Sequence, residues 1–421
     1  MEVKPGYKQT EVGVIPEEWY VIPLSKTAKR ITRGASPRPI DSPIWFDSRS
    51  SVGWVRISDV TRCSGRYLLE TTQRLSEAGI RNSRPVPSGS LIMSICATVG
   101  RPIETRIDTC IHDGFVVFDQ PTIEQSFLYH VLAALEPAWS KHGQTGSQMN
   151  LNTGLINGRL IPIPPTEAEQ RAIATALSDV DGLLGGLDQL ITKKRDLKQA
   201  AMQQLLTGQT RLPGFHGEWE VKTLFELAER KKELFDDGDW IESEHITTEG
   251  IRLIQTGNIG VGSFVEKDDK KYINDASFTS LRCKQLRQGD LLVCRLADPA
   301  GRACVLSDIG EERIVTSVDV TIFRPPPELA DRVFLCQVFS TSEWFRAVSD
   351  RSGGTTHKRI SRGALGRISI NLPSLPEQTA IAEVLSDMDA ELAGLEQRRE
   401  KTRALKQAMM QELLTGRTRL V

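Results

Sequence analysis

EQRAIATALSDVDGLLGGLDQLITKKRDLKQAAMQQLLTGQTRL runs from Glu169 to Leu212, and EQTAIAEVLSDMDAELAGLEQRREKTRALKQAMMQELLTGRTRL runs from Glu377 to Leu420. The two stretches align without a gap at an offset of 208 residues, and 28 of their 44 positions are identical. Chance does not produce this. The chain of 421 residues contains a duplication whose unit is half its length. Fainter traces extend the repeat: Trp19 answers Trp219, Gly89-Ser90-Leu91-Ile92 answers Gly289-Asp290-Leu291-Leu292, Gly100-Arg101 answers Gly301-Arg302, and Phe127-Leu128 answers Phe334-Leu335. Each half is a variable globular segment followed by a nearly constant helical one.

The constant segments read as long helices. Each opens on a capping box, Thr166-x-x-Glu169 and Ser374-x-x-Glu377, just after prolines. Apolar positions then alternate by four and three, at Ile173, Leu177, Val180, Leu184, Leu187 and Ile191, and in the second copy at Ile381, Leu385, Met388, Leu392 and Leu395. That is a heptad seam. Gly208 and Gly416 stand where a left-handed residue would end each helix. About 40 helical residues span roughly 60 Å. Each helix could pack on its own globular domain. The heptads and the near-identity of the copies favour mutual pairing in an antiparallel coiled coil, which would hold the globular parts at a fixed distance about a pseudo-dyad.

The variable segments look α+β. Gly53–Ile57, Ser90–Ile95 and Arg313–Phe323 are β-rich runs, and RGASPRP from Arg33 and RPVPSGS from Arg84 are turns. Phe127–Leu135 and Val333–Phe339 are apolar helical stretches, followed by the polar loops GQTGSQMNLN from Gly143 and GGTTHKRIS from Gly353.

Composition narrows the function. Hydrophobic residues make up 39% and charged residues 25%, an ordinary soluble mixture. No apolar run reaches membrane-spanning length, and the polar start lacks a signal peptide's apolar core, so a cytoplasmic location is expected. Seven cysteines without C-x-x-C spacing argue against disulfides and structural zinc. Net charge is −1, yet Val21–Cys110 carries 14 Lys/Arg against 7 Asp/Glu, and Glu343–Arg367 carries 6 against 2. Such basic clusters can face phosphates. No G-x-x-x-x-G-K-[ST] loop, no G-x-G-x-x-G after a strand and no Asn/Asp-Pro-Pro-aromatic run occurs. His112-Asp113 and His357 are isolated, and the acidic pairs Asp236-Asp237 and Asp268-Asp269 read as solvated loops. No catalytic constellation is expected, and no metal site.

The repeated LKQAxMQxLLTGxTRL helix ends and the P-x-x-x-x-E-Q and L-P-E-Q helix starts resemble the specificity subunits of Type I restriction-modification systems. So do GYKQTEVGVIPEEW from Gly6, LIQTGNIG from Leu253 and GDLLVCR from Gly289. The resemblance spans essentially the whole chain. It implies an α+β protein in which two globular α/β target recognition domains, 1–163 and 213–372, are separated by conserved helices, 164–212 and 373–421. Each domain would read one half of a split, asymmetric site on double-stranded DNA. The helices would set the gap and dock two adenine-N6 methyltransferase subunits, which motor-nuclease subunits join. S-adenosylmethionine, ATP and Mg2+ would belong to those partners, so this chain would bind no cofactor and would not be an enzyme. The alternatives are a specificity subunit for a fused methyltransferase-nuclease, or a coiled-coil scaffold that reads no DNA.

Arg, Asn and Gln make bidentate base contacts, while Lys, Ser and Thr often serve phosphates. The candidates in the first domain are Arg33, Arg38, Arg56, Ser58, Arg101, Gln144, Gln148 and Asn150; in the second they are Gln255, Asn258, Arg295, Arg302, Thr355, His357, Lys358 and Arg359. The Lys193-Lys194-Arg195 cluster and the Arg398-Arg399 pair, mid-helix, read mainly as exposed helix surface.

Overall fold

The computed structural model describes residues 4–63, 65–141, 151–296, 298–354 and 358–420. Its compact units do not follow chain order. One comprises Met1–Leu190 with Glu396–Val421, the other Ile191–Leu395, so each unit holds the start of one long helix and the end of the other.

In the first unit the strands that matter are β1 (Ala28–Arg33), β2 (Gly53–Val55), β3 (Leu91–Ser94), β4 (Pro102–Thr105), β5 (Thr109–Ile111) and β6 (Phe115–Pro121). The larger sheet has the order β1-β6-β3-β4, extended by Tyr67–Leu68. A smaller sheet pairs β2 with β5 in parallel, Val55 opposite Ile111. Every residue of β3 is buried, because both faces of the sheet are covered. Leu91 and Met93 point to one cluster with Val116, Phe118, Phe127 and Leu132, whereas Ile92 points to another with Ile103, Val117, Val55 and Ile111. Alternate side chains of a strand face opposite ways, so a wholly apolar run is what a sheet covered on both faces requires.

The second unit repeats the plan with β7 (Phe235–Asp237), β8 (Ile251–Ile254), β9 (Leu291–Cys294), β10 (Ala303–Val305), β11 (Ile314–Thr316) and β12 (Val320–Phe323). The orders correspond: β7-β12-β9-β10 in one sheet, and β8 parallel to β11 in the other, Ile254 opposite Thr316. The apolar run Arg313–Phe323 is not one strand. It breaks at Ser317–Asp319, where the Val320 amide donates to Ser317 O at 3.0 Å, and its two parts join different sheets.

Both long helices are 39 residues, Glu167–Leu205 and Leu375–Leu413. In the first unit Ile173, Ala174 and Leu177 share a core with Leu413 and Leu414. In the second, Ile381, Ala382 and Leu385 share one with Met202, Leu205 and Leu206. Docking on a globular core and mutual pairing therefore both hold. Along the seam Leu187, Ile191 and Leu392 are buried, while Val180, Leu184, Met388 and Leu395 are half-buried. Ion pairs fix the direction. Lys406 Nζ meets Asp181 Oδ1 at 2.6 Å and Arg399 Nη1 meets Asp188 Oδ1 at 3.4 Å, so residue numbers rise on one helix as they fall on the other. The second unit repeats this through Lys198 with Asp389 and, at 2.7 Å, Lys194 with Glu391. The pairing is antiparallel in each unit.

The helix-start and helix-end motifs are partners. Glu169, fully buried, takes the guanidinium of Arg419 through Nε and through Nη2 at 3.0 Å. Glu377, also fully buried, takes Arg211 through Nε and Nη2, each at 2.5 Å. The neighbouring glutamines are equally matched. Gln170 donates to Pro164 O and accepts from the Glu124 amide, as Gln378 donates to Pro373 O and accepts from the Asp331 amide. Gly208 and Gly416 have φ +72° and +71°. They pack on Trp219 and Trp19, and a Cβ on Gly416 would lie 2.6 Å from Pro16. Those contacts and the left-handed backbone account for glycine there.

Candidate nucleic-acid interface

The geometry begins with a glycine. Leaving β1, Gly34 passes so close to the turn after β5 that a Cβ would lie 2.1 Å from His112 O; leaving β7, Gly238 passes Ser317 O with a corresponding 2.2 Å. Each donates its amide across, Gly34 to Phe115 O at 2.9 Å and Gly238 to Val320 O at 2.8 Å. Only glycine fits such an approach. The chain is thereby passed from the larger sheet to the smaller one, where the Ala35 amide donates to Ile111 O and the Asp239 amide to Thr316 O, and in the second unit the loop that follows lies beside the turn after β8.

That second turn is built the same way in both units. The Arg56 amide donates to Asp59 Oδ2 at 2.9 Å, and the Gln255 amide to Asn258 Oδ1 at 3.0 Å. A third loop follows β3 or β9, and its Gly100 or Gly301, φ +85° and +95°, packs against Trp139 or Trp344.

In the second unit these loops enclose an open groove of about 780 Å³, whose lining includes Trp240, Gln255, Thr256, Gly257, Lys267, Lys271 and Arg359. Buried Arg252 supports it from beneath, donating to Leu253 O at 2.9 Å, to Lys271 O at 3.1 Å and to Glu266 Oε1 at 2.8 Å. Arg359 pairs with Asp319 at 2.6 Å, and Lys284 with Asp239 at 2.8 Å. Lys267 carries its ammonium over Gly257, where a Cβ would stand 2.2 Å from Nζ, and makes no ion pair among the described residues. Trp240 is 65% exposed and donates its indole N–H to Glu242.

In the first unit the same loops hold a basic cluster around one carboxylate. Arg33 Nε donates to Asp113 O at 2.6 Å, Ser36 Oγ donates to Asp113 Oδ1 at 2.6 Å, and exposed Arg38 lies 3.8 Å from Oδ2. The Ser36 hydrogen bond foremost holds Asp113 below its ordinary pKa, so it stays ionised. Burial pushes His112 down, and its Nδ1 accepts the Gly114 amide at 2.8 Å, as a neutral ring must.

The expected contact residues divide. Arg33 at the end of β1, Arg38 on the loop after it and Ser58 in the short helix Ile57–Arg62 are exposed, Arg56 and Gln255 are half-buried at the turn, and Lys358 is exposed beside Ser349. Arg101 is tied to Cys63 O. In three of the expected residues the polar groups are engaged within the fold. Asn258 is buried and completes its own turn, its amide donating to Val265 O at 2.9 Å. Arg295 is buried, donates to Ile360 O and Val318 O at 3.1 and 2.6 Å, and sits 3.0 Å from Asp237; burial pushes its pKa down. Arg302 spends its donors on Ile259 O, Asp298 O and Thr256 O at 2.9, 2.7 and 3.0 Å. These three hold loops in place, Asn258 and Arg295 from buried positions. Gln144, Gln148, Asn150, Thr355 and His357 lie outside the described residues.

The acidic pair Asp236-Asp237 is revised. It forms part of β7, neutralised by Arg362, Lys284 and Arg295, whereas Asp268-Asp269 is an exposed loop as expected. The sequence reading missed Gly34 and Gly238, whose crossing needs the third dimension, and Trp240 and Lys267, which sit in acidic surroundings. Among the described residues no three His, Cys, Asp or Glu side chains group as metal ligands, and no helix is long and apolar enough to cross a membrane.

The family described as the Type I restriction modification DNA specificity domain matches residues 49–193 and 216–403, which takes in the loops of the second unit, those of the first unit after its crossing loop, and most of both long helices. The chain belongs to this family. It is 24% identical over 438 aligned positions to the putative Type I restriction enzyme MjaX specificity subunit of Methanocaldococcus jannaschii, covering 99% of this chain and 97% of that one. It is 28% identical over 280 residues to the MjaVIII specificity subunit of the same organism, a match that spans 62% of each chain. The specificity-subunit fold is shared with the crystal structure of a Type I restriction-modification S subunit from M. genitalium, at TM-score 0.60, 11% identity and 98% of each chain. A chain from a study of complex assembly and conformational transition in a Type I system matches at TM-score 0.56 and 18% identity, over 96% of this chain and 99% of that one.

Proposed function

We propose that this chain is the DNA sequence-reading subunit of a Type I restriction-modification complex and leaves the chemistry to its partners. Each unit reads one half of a split, asymmetric duplex site with the loops that follow its crossing glycine. The observation that carries this reading is the contrast between frame and loops. The strand order, the crossing glycine, the capped turn and the glycine-on-tryptophan contact recur in both units, while the side chains presented differ, Arg56 against Gln255 and Asp113 against Val318. A reader of two different half-sites needs one docking geometry and two sets of base contacts.

Physically, exposed Arg33, Arg38, Lys267 and Lys358 meet phosphates and set the register, and uncommitted groups at the capped turns reach base edges. The long helices dock two adenine-N6 methyltransferase subunits through their matching faces, and motor-nuclease subunits join that core. S-adenosylmethionine, ATP and Mg2+ enter with those partners, and the complex works on DNA in the cytoplasm. Methylation mapping of DNA from a host carrying this chain with its methyltransferase subunit tests the reading. The expected product is N6-methyladenine in a two-part asymmetric motif. A continuous palindrome, or methyl transfer by the purified chain with S-adenosylmethionine alone, overturns it.

A further inference from the structure

We infer that the first residue after the central parallel strand, Arg56 in one unit and Gln255 in the other, is a specificity-determining position, Arg56 selecting guanine and Gln255 selecting adenine in their respective half-sites. This rests on the DNA-reading role proposed above and adds which residues discriminate and for which bases.

Register makes the positions equivalent. Val55 of β2 pairs with Ile111 of β5, Ile254 of β8 pairs with Thr316 of β11, and the next residue in each case is the one at issue. The turn fixes the backbone at both, because each amide is held by the side chain three residues on, Asp59 at 2.9 Å and Asn258 at 3.0 Å. The side chains are free to read. Among the described residues the Arg56 guanidinium makes no hydrogen bond or ion pair and the Gln255 carboxamide nitrogen donates to nothing, although both side chains are half-buried. Their cationic neighbours in the second unit, Arg252, Arg295 and Arg302, are all committed to carbonyls or carboxylates. Gln255 faces the polar groove. A half-buried, uncommitted, bidentate-capable group on a braced turn loses little freedom on binding, which is what base discrimination requires.

The base follows from donor and acceptor geometry. A guanidinium offers two parallel donors, which match the O6 and N7 acceptors of guanine. A carboxamide offers one donor and one acceptor, which match N7 and the N6 amine of adenine.

Selection from a randomised duplex library by the purified full-length chain, read by sequencing, tests this with Arg56→Gln, Gln255→Arg, Arg56→Ala and Gln255→Ala. Wild type should enrich a two-part motif. Arg56→Gln should change one position of one half from guanine to adenine, and Gln255→Arg should make the reverse change at one position of the other half. Each altered preference should amount to about 10- to 100-fold. The alanine variants should lose preference at that position alone. All four should stay folded to near the wild-type melting temperature, since neither half-buried side chain donates a hydrogen bond or makes an ion pair among the described residues, and a variant that unfolds contradicts the inference. A two-part motif unaltered in every variant, or enrichment weakened evenly along the motif, overturns it while leaving the proposed function intact. A wild-type chain that enriches no two-part motif overturns both.

Discussion

Replacing Arg295 with methionine should unfold the second unit more easily without changing what DNA it prefers. Methionine keeps the length of the aliphatic stem and removes the guanidinium. In the native fold that group is 4% exposed, donates to Ile360 O and Val318 O, and lies 3.0 Å from Asp237 Oδ1. Two hydrogen bonds from a charged donor are worth about 1.5–3 kcal/mol each, roughly 3–6 kcal/mol together. Breaking a buried ion pair from one side costs about 3–5 kcal/mol, the same range reached independently. Asp237 is eased by solvent and by Thr321, whose hydroxyl donates to it at 3.0 Å, so the lower half of the range applies, about 3–4 kcal/mol. A unit of this size loses about 2–4 °C of melting temperature per kcal/mol, which gives a drop of roughly 6–16 °C. Circular dichroism on heating measures it, and library selection below the transition measures base preference. An unchanged melting curve together with an altered preferred base would refute the reasoning, because Arg295 would then be a base contact.

Gly238→Ala should destabilise the second unit by about 1–3 kcal/mol or more through overpacking against Ser317 O, and Gly34→Ala should do the same to the first against His112 O; urea midpoints unchanged from wild type would contradict both. Burial foremost, then Arg66 and Lys406, pushes His130 from 6.5 to about 3, so the native ring is neutral while the unfolded one takes up a proton. That contribution to stability is intact above pH 6.5 and is lost as pH falls toward 3, and His130→Gln should flatten the melting-temperature profile over this window. The equivalent residue of the second unit, Gln337, donates to Asp389 Oδ2 at 3.0 Å, so the amide fits; an equally steep profile in the variant would remove His130 as the cause. Lys267→Ala should weaken DNA binding evenly across sequences and lower the slope of log affinity against log salt by about 0.9, as loss of one phosphate contact does. An unchanged slope would take Lys267 out of the interface.

The scaffold was legible because its signal is local and repeated. Heptad spacing, capping boxes and terminal glycines each sit within a few residues, and a copy 208 residues away checks them. Even there the sequence reading could not say that Glu169 and Arg419 are one ion pair, since 250 residues separate them. The globular parts were legible as strands and turns but not as sheets, and the run Arg313–Phe323 concealed a turn because apolar residues continue through it. Contact residues were the least legible. Residue type suggested Arg56, Arg295 and Arg302 alike, and only packing separates a guanidinium bound to backbone carbonyls from one with no such partner among the described residues. Gly34 and Gly238 gave no sign, because the close approach that demands glycine is made to a segment about 80 residues further along.

The two buried glutamate–arginine clamps are each made between one repeat and the other: Glu169 grips Arg419, and Glu377 grips Arg211. A single repeat holds one glutamate and one arginine of this kind, and each finds its match on the other repeat. The contacts are thus reciprocal, as in an isologous homodimer, with one peptide link joining the two repeats. In an unlinked homodimer any mutation strikes both readers together, and a two-fold symmetric protein is confined to symmetric sites. The link removes that constraint, so mutation can act on one reader at a time while each clamp goes on holding the start of one helix to the end of the other.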